Sequence, residues 1–271
     1  MYEYHNTEKL INEEEYIPNE SLFFLKTGKN IESMVDGYMT ANVENRELMS
    51  PSVTLDQNDV IDGAHLTNKR FGSREITITY VLTAANDRDF RLAFNRLNAI
   101  LQSKKPFDFY FYDETEYYYT GVVSSADSVK TGTNQVISKF TITCLDPYKK
   151  SVELKSITGK GHFKFEDFNL LYSVKPEKIV FDFTGSSSAT YIQDGTARNN
   201  EIIIVGQFGS GDQITVVPRD PEKGFVYFFK TKAPERLDTG ARIDSFTLEN
   251  GNEIVASSNA NVTIYYREML L

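Results

Sequence analysis

Between Ser73 and Thr83 the chain alternates without a break, with Ile76, Ile78, Tyr80 and Leu82 on one side and Glu75, Thr77 and Thr79 on the other. Successive side chains of a strand point to opposite faces, so this period of two describes a strand with one buried face, which needs a sheet around it. Directly afterwards the period changes. Asn86 suits a helix N-cap, Asp87 and Asp89 suit the positive first turn, and Phe90, Phe94, Leu97 and Leu101 recur at spacings of four, three and four. The spacing predicts one amphipathic helix over roughly residues 87–103, lying against a sheet, and Pro106 bars its continuation.

The other periodic segments of this half are strands. Phe107 to Tyr112 sets Phe107, Phe109 and Phe111 on one face, and Tyr117 to Val123 and Val136 to Cys144 follow, with turns at Asp113-Glu114 and in the stretch Ser124 to Asn134. The first sixty residues are less regular. They hold an acidic cluster at Glu13-Glu14-Glu15, a candidate strand at Ser21 to Lys26, and turn residues Gly28, Asn30, Gly37 and Pro51, and together they suggest an arm leading into a sheet. Leu145-Asp146-Pro147-Tyr148-Lys149-Lys150 closes the last strand on a proline, which has no N–H for the ladder. A domain boundary is expected there, with Asp146, Pro147 and Tyr148 as the linker between domains 1–147 and 148–271. A chain of 271 residues suits two domains at about 100–200 residues each.

After the boundary, short strands are expected at Lys178 to Phe183, Glu201 to Val205, Gln213 to Val217, Phe225 to Phe229, Arg242 to Leu248, Glu253 to Ala256 and Asn261 to Tyr266. Gly185, Gly195, Gly211, Pro218, Gly224, Gly240 and Gly251 punctuate them, a rhythm that predicts a β-sandwich. Gly206-Gln207-Phe208-Gly209-Ser210-Gly211 lacks the dinucleotide-binding spacing and is followed by an alternating stretch, so it predicts a hairpin turn. Nineteen Phe and sixteen Tyr without a Trp agree with a mainly β fold.

Composition narrows the function. Asp and Glu total 38 against 29 Lys and Arg, and a net charge of −9 repels phosphate backbones, so no stable nucleic-acid partner is expected. Apolar runs such as Ile202 to Val205 fall far short of the eighteen or so residues of a membrane helix, so no membrane insertion is expected either. Cys144 is the single cysteine and the acid-rich first fifteen residues lack a signal-peptide core, which suggests assembly in the cytosol.

Chemistry-bearing patterns are sparse. His5, His65 and His162 stand far apart, with no second His at helical spacing, so no metal site and no cofactor are expected. Asp56, Asn58, Asp59 and Asp62-Gly63 superficially resemble a calcium loop, but Val60 and Ile61 occupy ligand and glycine positions and no Glu closes it. Gly185-Ser186-Ser187-Ser188 is not a nucleophile elbow, and Cys144 sits in an alternating strand where burial is the usual fate. Asp113, Glu114 and Glu116 beside Tyr117-Tyr118-Tyr119 are the one grouping of acids with an aromatic platform, and solvation is the plainer fate of acids in a hairpin loop. No enzyme is expected. Tyr117 and Tyr119 fall on one strand face, as candidate saccharide contacts or, more plainly, as sheet packing.

In order, the chain carries Arg70-Phe71-Gly72-Ser73-Arg74-Glu75-Ile76-Thr77-Ile78, the helix segment Arg91 to Leu101, Phe107-Asp108-Phe109-Tyr110-Phe111, Gly121, and Phe140 to Tyr148. Later come Gly211 to Val216, Asn250 to Ile254 and Val262 to Glu268. This succession resembles the distal tail protein (Dit) family of long-tailed, non-contractile bacteriophages. The resemblance implies an N-terminal, tail-tube-like β-sandwich with one flanking α-helix, joined into a six-membered ring that continues the tail tube. It implies a C-terminal galectin-like or carbohydrate-binding-module-like β-sandwich, read here as a docking arm. The implied role is a non-enzymatic hub at the phage tail tip, assembled in the host cytoplasm. Its implied partners are its own copies, the tail tube protein, and a tail-tip or receptor-binding protein. DNA would pass through the lumen, which Glu13 to Glu15 could line, without sticking. The alternative is a glycan-binding adhesin that recognises host cell-wall saccharide.

Overall fold

A computed structural model describes residues 17–56, 62–129, 132–195, 201–218, 226–229, 231–238 and 243–271. His5 and the Glu13–Glu15 cluster lie outside the described residues, as do Asn58 and Asp59. The chain divides into two compact units, one running to Lys149 and including Leu271, the other from Lys150 to Leu270.

The first unit contains β1 (Leu22–Phe24), β2 (Lys29–Asn30), α1 (Ile31–Met34), β3 (Tyr38–Glu44), β4 (Ser52–Asp56), β5 (His65–Arg70), β6 (Arg74–Thr83), α2 (Asp87–Leu101), β7 (Phe107–Phe111), β8 (Glu114–Ala126) and β9 (Gln135–Cys144). Seven strands form one antiparallel sheet in the order β2-β1-β7-β8-β9-β6-β3. The alternation in β6 buries Ile76, Ile78, Tyr80 and Leu82, which meet Phe109, Phe111, Tyr119, Phe140 and Ile142 in one core. Helix α2 begins as its sequence predicts: the Asp89 N–H donates to the Asn86 side-chain oxygen at 3.0 Å, and Phe90, Ala93, Leu97 and Leu101 turn into that core.

The two ends of the strand order are joined by side chains rather than by a ladder. On the outer edge of β3, the Thr40 N–H donates to Glu32 Oε1 at 3.0 Å and the Val43 N–H donates to Glu20 Oε2 at 3.0 Å, while the Ser21 hydroxyl donates to the other Glu32 oxygen. Carboxylates from the β1–α1 stretch thus satisfy an edge that would otherwise offer free N–H groups to another strand. Burial pushes the Glu20 carboxyl upward, against the opposing pull of the Val43 N–H and Arg46. Gly37 is obligatory beside this seam: at φ +76° a Cβ there would sit 1.8 Å from the Thr83 carbonyl oxygen.

A short strand, β10 (Lys149–Ser151), crosses the division. The second unit continues with β11 (Lys155–Gly159), β12 (His162–Lys164), β13 (Lys178–Phe183), β14 (Ser187–Asp194), β15 (Glu201–Phe208), β16 (Gln213–Val216), β17 (Val226–Phe228), β18 (Thr231–Lys232), β19 (Glu253–Ala256), β20 (Ala260–Tyr266) and β21 (Met269–Leu270). Its two sheets have the orders β11-β20-β13-β16-β17-β18 and β12-β19-β14-β15. Phe183 of the first and Phe208 of the second stack with centroids 4.4 Å apart, joining the sheets as a sandwich. The mainly β fold class expected from the sequence holds.

Several local expectations are corrected. Strand β15 runs through Gly206 to Phe208, and β16 pairs with β13 and β17, so the glycine-rich stretch carries the chain between sheets instead of closing a hairpin. The segment expected as a strand at Arg242 to Leu248 holds a 3-10 turn at Ile243–Ser245, and Leu248 makes an isolated bridge to Val174. Buried Ile243, Phe246 and Leu248 are spaced for a turn followed by an extended step, not for alternation. Arg242 and Phe225 lie outside the described residues. The strands β2, β3, β4, β5, β10, β11, β12, β14, β18 and β21 were not foreseen.

Candidate assembly surface

Strands β3 and β6 are paired neighbours, with Glu44 opposite Thr77, so the chain that leaves Glu44 and returns at Arg74 projects from one end of the sheet. Among the described residues its ribbon, β4 with β5, pairs only with itself, and all eleven residues of the two strands are exposed. The register sets Ser52 opposite Arg70, Val53 opposite Lys69, Thr54 opposite Asn68, and, past a bulge, Leu55 opposite Leu66. Directly opposed residues share a face, so Val53, Leu55 and Leu66 lie with Lys69 on one largely apolar face while Ser52, Thr54, Asn68 and Arg70 form a polar one. At the foot of the ribbon Leu48 is 97% exposed. A two-stranded ribbon is marginal in water by itself, and among the described residues nothing covers this one's largely apolar face. The alternation Ser52-Val53-Thr54-Leu55-Asp56 was the available signal, and it is short.

The ribbon's root is rigidly held. Arg74, 1% exposed, donates from Nε to the Pro147 carbonyl at 3.1 Å and from Nη1 to the carbonyls of Asn45 at 3.1 Å and Arg46 at 2.8 Å. The Arg46 guanidinium lies 4.2 Å from the Phe111 ring centre and grips Asp113 with two parallel bonds of 2.8 and 2.9 Å. Glu114 is shared between Arg46 and Lys149. Residues 45–46 are therefore tied to residues 147–149 twice, through Arg74 and through Glu114. A cleft of about 270 Å³ opens beside this root, lined by Leu48, Met49, Ser50, Ser73 and Arg74.

The residues singled out from sequence fall as follows. Tyr119 is corrected from a candidate saccharide contact to a core residue: 1% exposed, it stacks on Phe109 at 5.6 Å, and burial pushes its hydroxyl up to about 12. Tyr118 is buried next to it, because the β7–β8 pairing shifts register between Phe109 and Phe111 and strict alternation fails there. Tyr117 is half-buried, with the Lys149 ammonium 5.5 Å from its ring centre. Asp113 and Glu114 are occupied by Arg46 and Lys149 and do not form a carboxylate pair poised for hydrolysis. In the expected linker, Pro147 accepts from Arg74 and the Tyr148 N–H donates to Asp146 Oδ1 at 3.2 Å. His65 sits on β5 and His162 on β12, and among the described residues no three metal-binding side chains gather. Cys144 is buried, its thiol pushed up to about 12. No helix among the described residues is long and apolar enough to cross a membrane.

Residues 38–145, from β3 through β9, match the family described as phage tail protein RIFT-related domain. This stretch of the first unit is similar to that domain. No curated protein matches the chain. Among solved structures, the crystal structure of the SPP1 Dit protein, described as a paradigm of the hub adsorption apparatus in phages infecting Gram-positive bacteria, matches with a TM-score of 0.73 at 18% identity, covering 93% of this chain and 99% of that one. A chain of the phage P2 baseplate, in its activated conformation with Ca, matches at TM-score 0.53 and 8% identity over 86% of this chain and 90% of that one. The corresponding baseplate with Sr gives 0.53 and 10% over 84% and 90%. The resemblance to distal tail proteins carried by the segment order is borne out. Both likenesses point to a structural role in a phage tail or baseplate.

Proposed function

We propose that this chain is the distal hub of a long-tailed phage: copies of the first domain, 1–147, close into a six-membered ring that continues the tail tube. The second domain, 148–271, is a galectin-like or carbohydrate-binding-module-like arm that docks tail-tip or receptor-binding proteins. The observation that carries this reading is the near-complete two-way coverage with the SPP1 hub protein, 93% of this chain and 99% of that chain, which leaves neither domain without a counterpart. Head-to-tail interfaces between identical copies close into rings when the rotation allows. With a net charge of −9, copies repel at long range, so short-range apolar and hydrogen-bonded contacts must hold them together. The ring joins the tail tube protein on one side and tail-tip proteins on the other, DNA passes through its lumen without binding, and assembly takes place in the host cytoplasm.

Light scattering across a concentration series, with negative-stain imaging of the largest species, tests the reading. The expected result is a closed ring of about six copies. A chain that stays monomeric alone and in the presence of the tail tube protein would overturn it. The glycan-binding alternative loses Tyr119 to the core; its test is a glycan array probed with the full chain, where specific binding would revive it.

A further inference from the structure

We infer that the first unit holds a small monovalent anion of chloride size, bound by the Arg74 and Arg46 guanidiniums and the Tyr119 hydroxyl. Three buried polar atoms carry the inference. Among the described residues, Arg74 Nη2, Arg46 Nε and the Tyr119 hydroxyl oxygen have no hydrogen-bond partner, and all three are shut off from solvent. Arg74 and Tyr119 are each 1% exposed. The groups belong to one place. The Arg74 guanidinium lies 5.8 Å from the Tyr119 ring centre and donates to the Arg46 carbonyl at 2.8 Å. The Arg46 guanidinium lies 4.2 Å from the centre of the Phe111 ring, which is itself 6.1 Å from that of Tyr119. Both guanidiniums act on the Tyr119 hydroxyl, pulling downward against burial and Glu114. All of these residues lie within the first unit, so the site does not depend on the ring.

Chemistry selects an anion as the occupant. A guanidinium N–H can only donate and a tyrosine hydroxyl can turn to donate, so all three groups offer hydrogens to one acceptor. A water would add two hydrogens of its own to a site already made of donors, whereas a halide accepts all three and adds none. Charge points the same way. Arg46 is paired with Asp113 and shares Glu114 with Lys149, but Arg74 meets three carbonyls and, among the described residues, no carboxylate. Buried charges are normally paired, and the guanidinium of Arg74 is the one still open to a counter-ion. Phe109, Phe111 and Tyr119 pack against one another there with centres 5.6 to 6.1 Å apart, which suits a single-atom anion better than a phosphate and strengthens its contacts by keeping the surroundings apolar. The cleft beside the ribbon's root has Arg74, Asn45, Ser50 and Ser73 in its wall and gives the ion a way in. Glu75 lines the same cleft, but alternation sets it on the opposite face of β6 from Arg74.

The test follows thermal unfolding of the full chain in sodium chloride and sodium gluconate mixed at constant ionic strength, so that screening stays the same throughout. An ion that binds only the folded chain raises the melting temperature with the logarithm of its concentration. A chloride-specific rise of roughly 3 °C over a hundredfold range of chloride is expected. Tyr119→Phe removes only the hydroxyl and Arg46→Lys keeps the charge without the Nε–H; each is expected to weaken chloride binding about tenfold, read as a smaller rise. Crystals of the full chain grown in sodium bromide are expected to show an anomalous peak in contact with Arg74 Nη2 and Arg46 Nε. A melting temperature indifferent to the choice of anion, or an undiminished chloride response in both variants, would overturn the inference. So would a bromide crystal with an ordinary water, and no anomalous peak, between the two guanidiniums.

Discussion

Arg74 shows how much one side chain can organise. Its alternation partners in β6 are Ile76, Ile78 and Tyr80, so the pattern that buries them also buries a guanidinium, which survives there because three carbonyls accept from it. Replacing Arg74 with Ala leaves those three acceptors without their donor, and a loss of about 3 kcal/mol is expected as a lowered urea midpoint. Lysine offers no planar fork to carbonyls converging from residues 45, 46 and 147, so Arg74→Lys is expected to recover only a minor part. Nothing in the residues around position 74 announces this. The acceptors come from segments 28 and 73 residues away, and only the folded sheet brings them to one point.

At the scale of elements, legibility followed burial. Helix α2 and strand β6 carry a full apolar stripe and a cap, each imposed by a single large core, and both were readable. Truncating Leu97 to Ala, 2% exposed within that core, is expected to cost about 2–5 kcal/mol in thermal or denaturant unfolding, whereas Leu92→Ala on the exposed side should change stability by less than about 0.5 kcal/mol. The ribbon was not readable, because among the described residues its faces meet no core and only Val53, Leu55 and Leu66 mark its period. Strand β14 opens Ser187-Ser188-Ala189 and buries only alternate residues from Thr190 onward, too weak a pattern to separate from a loop. The Gly206–Gly211 stretch has turn chemistry, but turn chemistry does not say whether the next strand joins the same sheet or the facing one.

At the scale of the molecule, a carboxylate held by several donors makes the second unit sensitive to acid. In the second unit Asp167 is buried, which pushes its carboxyl up, but the Tyr266 hydroxyl donating at 2.8 Å, the Lys155 ammonium and the Asn169 N–H outweigh burial and hold it below the usual carboxylate range. A carboxyl depressed by folding contributes stability that is present above its unfolded pKa, about 3.9, and is lost as pH falls through the folded value. Lys155 is raised, chiefly by Glu268 and also by Asp167, so its contribution holds below about pH 10.4 and fades as pH rises through the folded pKa. Thermal unfolding of the second unit should therefore be flat between these limits and fall below about pH 4. Asp167→Asn should lower the plateau and remove part of the acid step, and an unchanged pH profile would count against this account.

Periodicity by itself determined the β class, the one long helix and the segment order by which the tail-protein likeness could be seen, because each depends on neighbours within a few residues. Tertiary structure alone decided that Tyr119 is core, that Asp113 and Glu114 are held by Arg46 and Lys149, and that an amphipathic ribbon stands uncovered among the described residues. Those facts depend on contacts between segments tens of residues apart, and a linear pattern says which face of a strand is apolar without saying what will cover it.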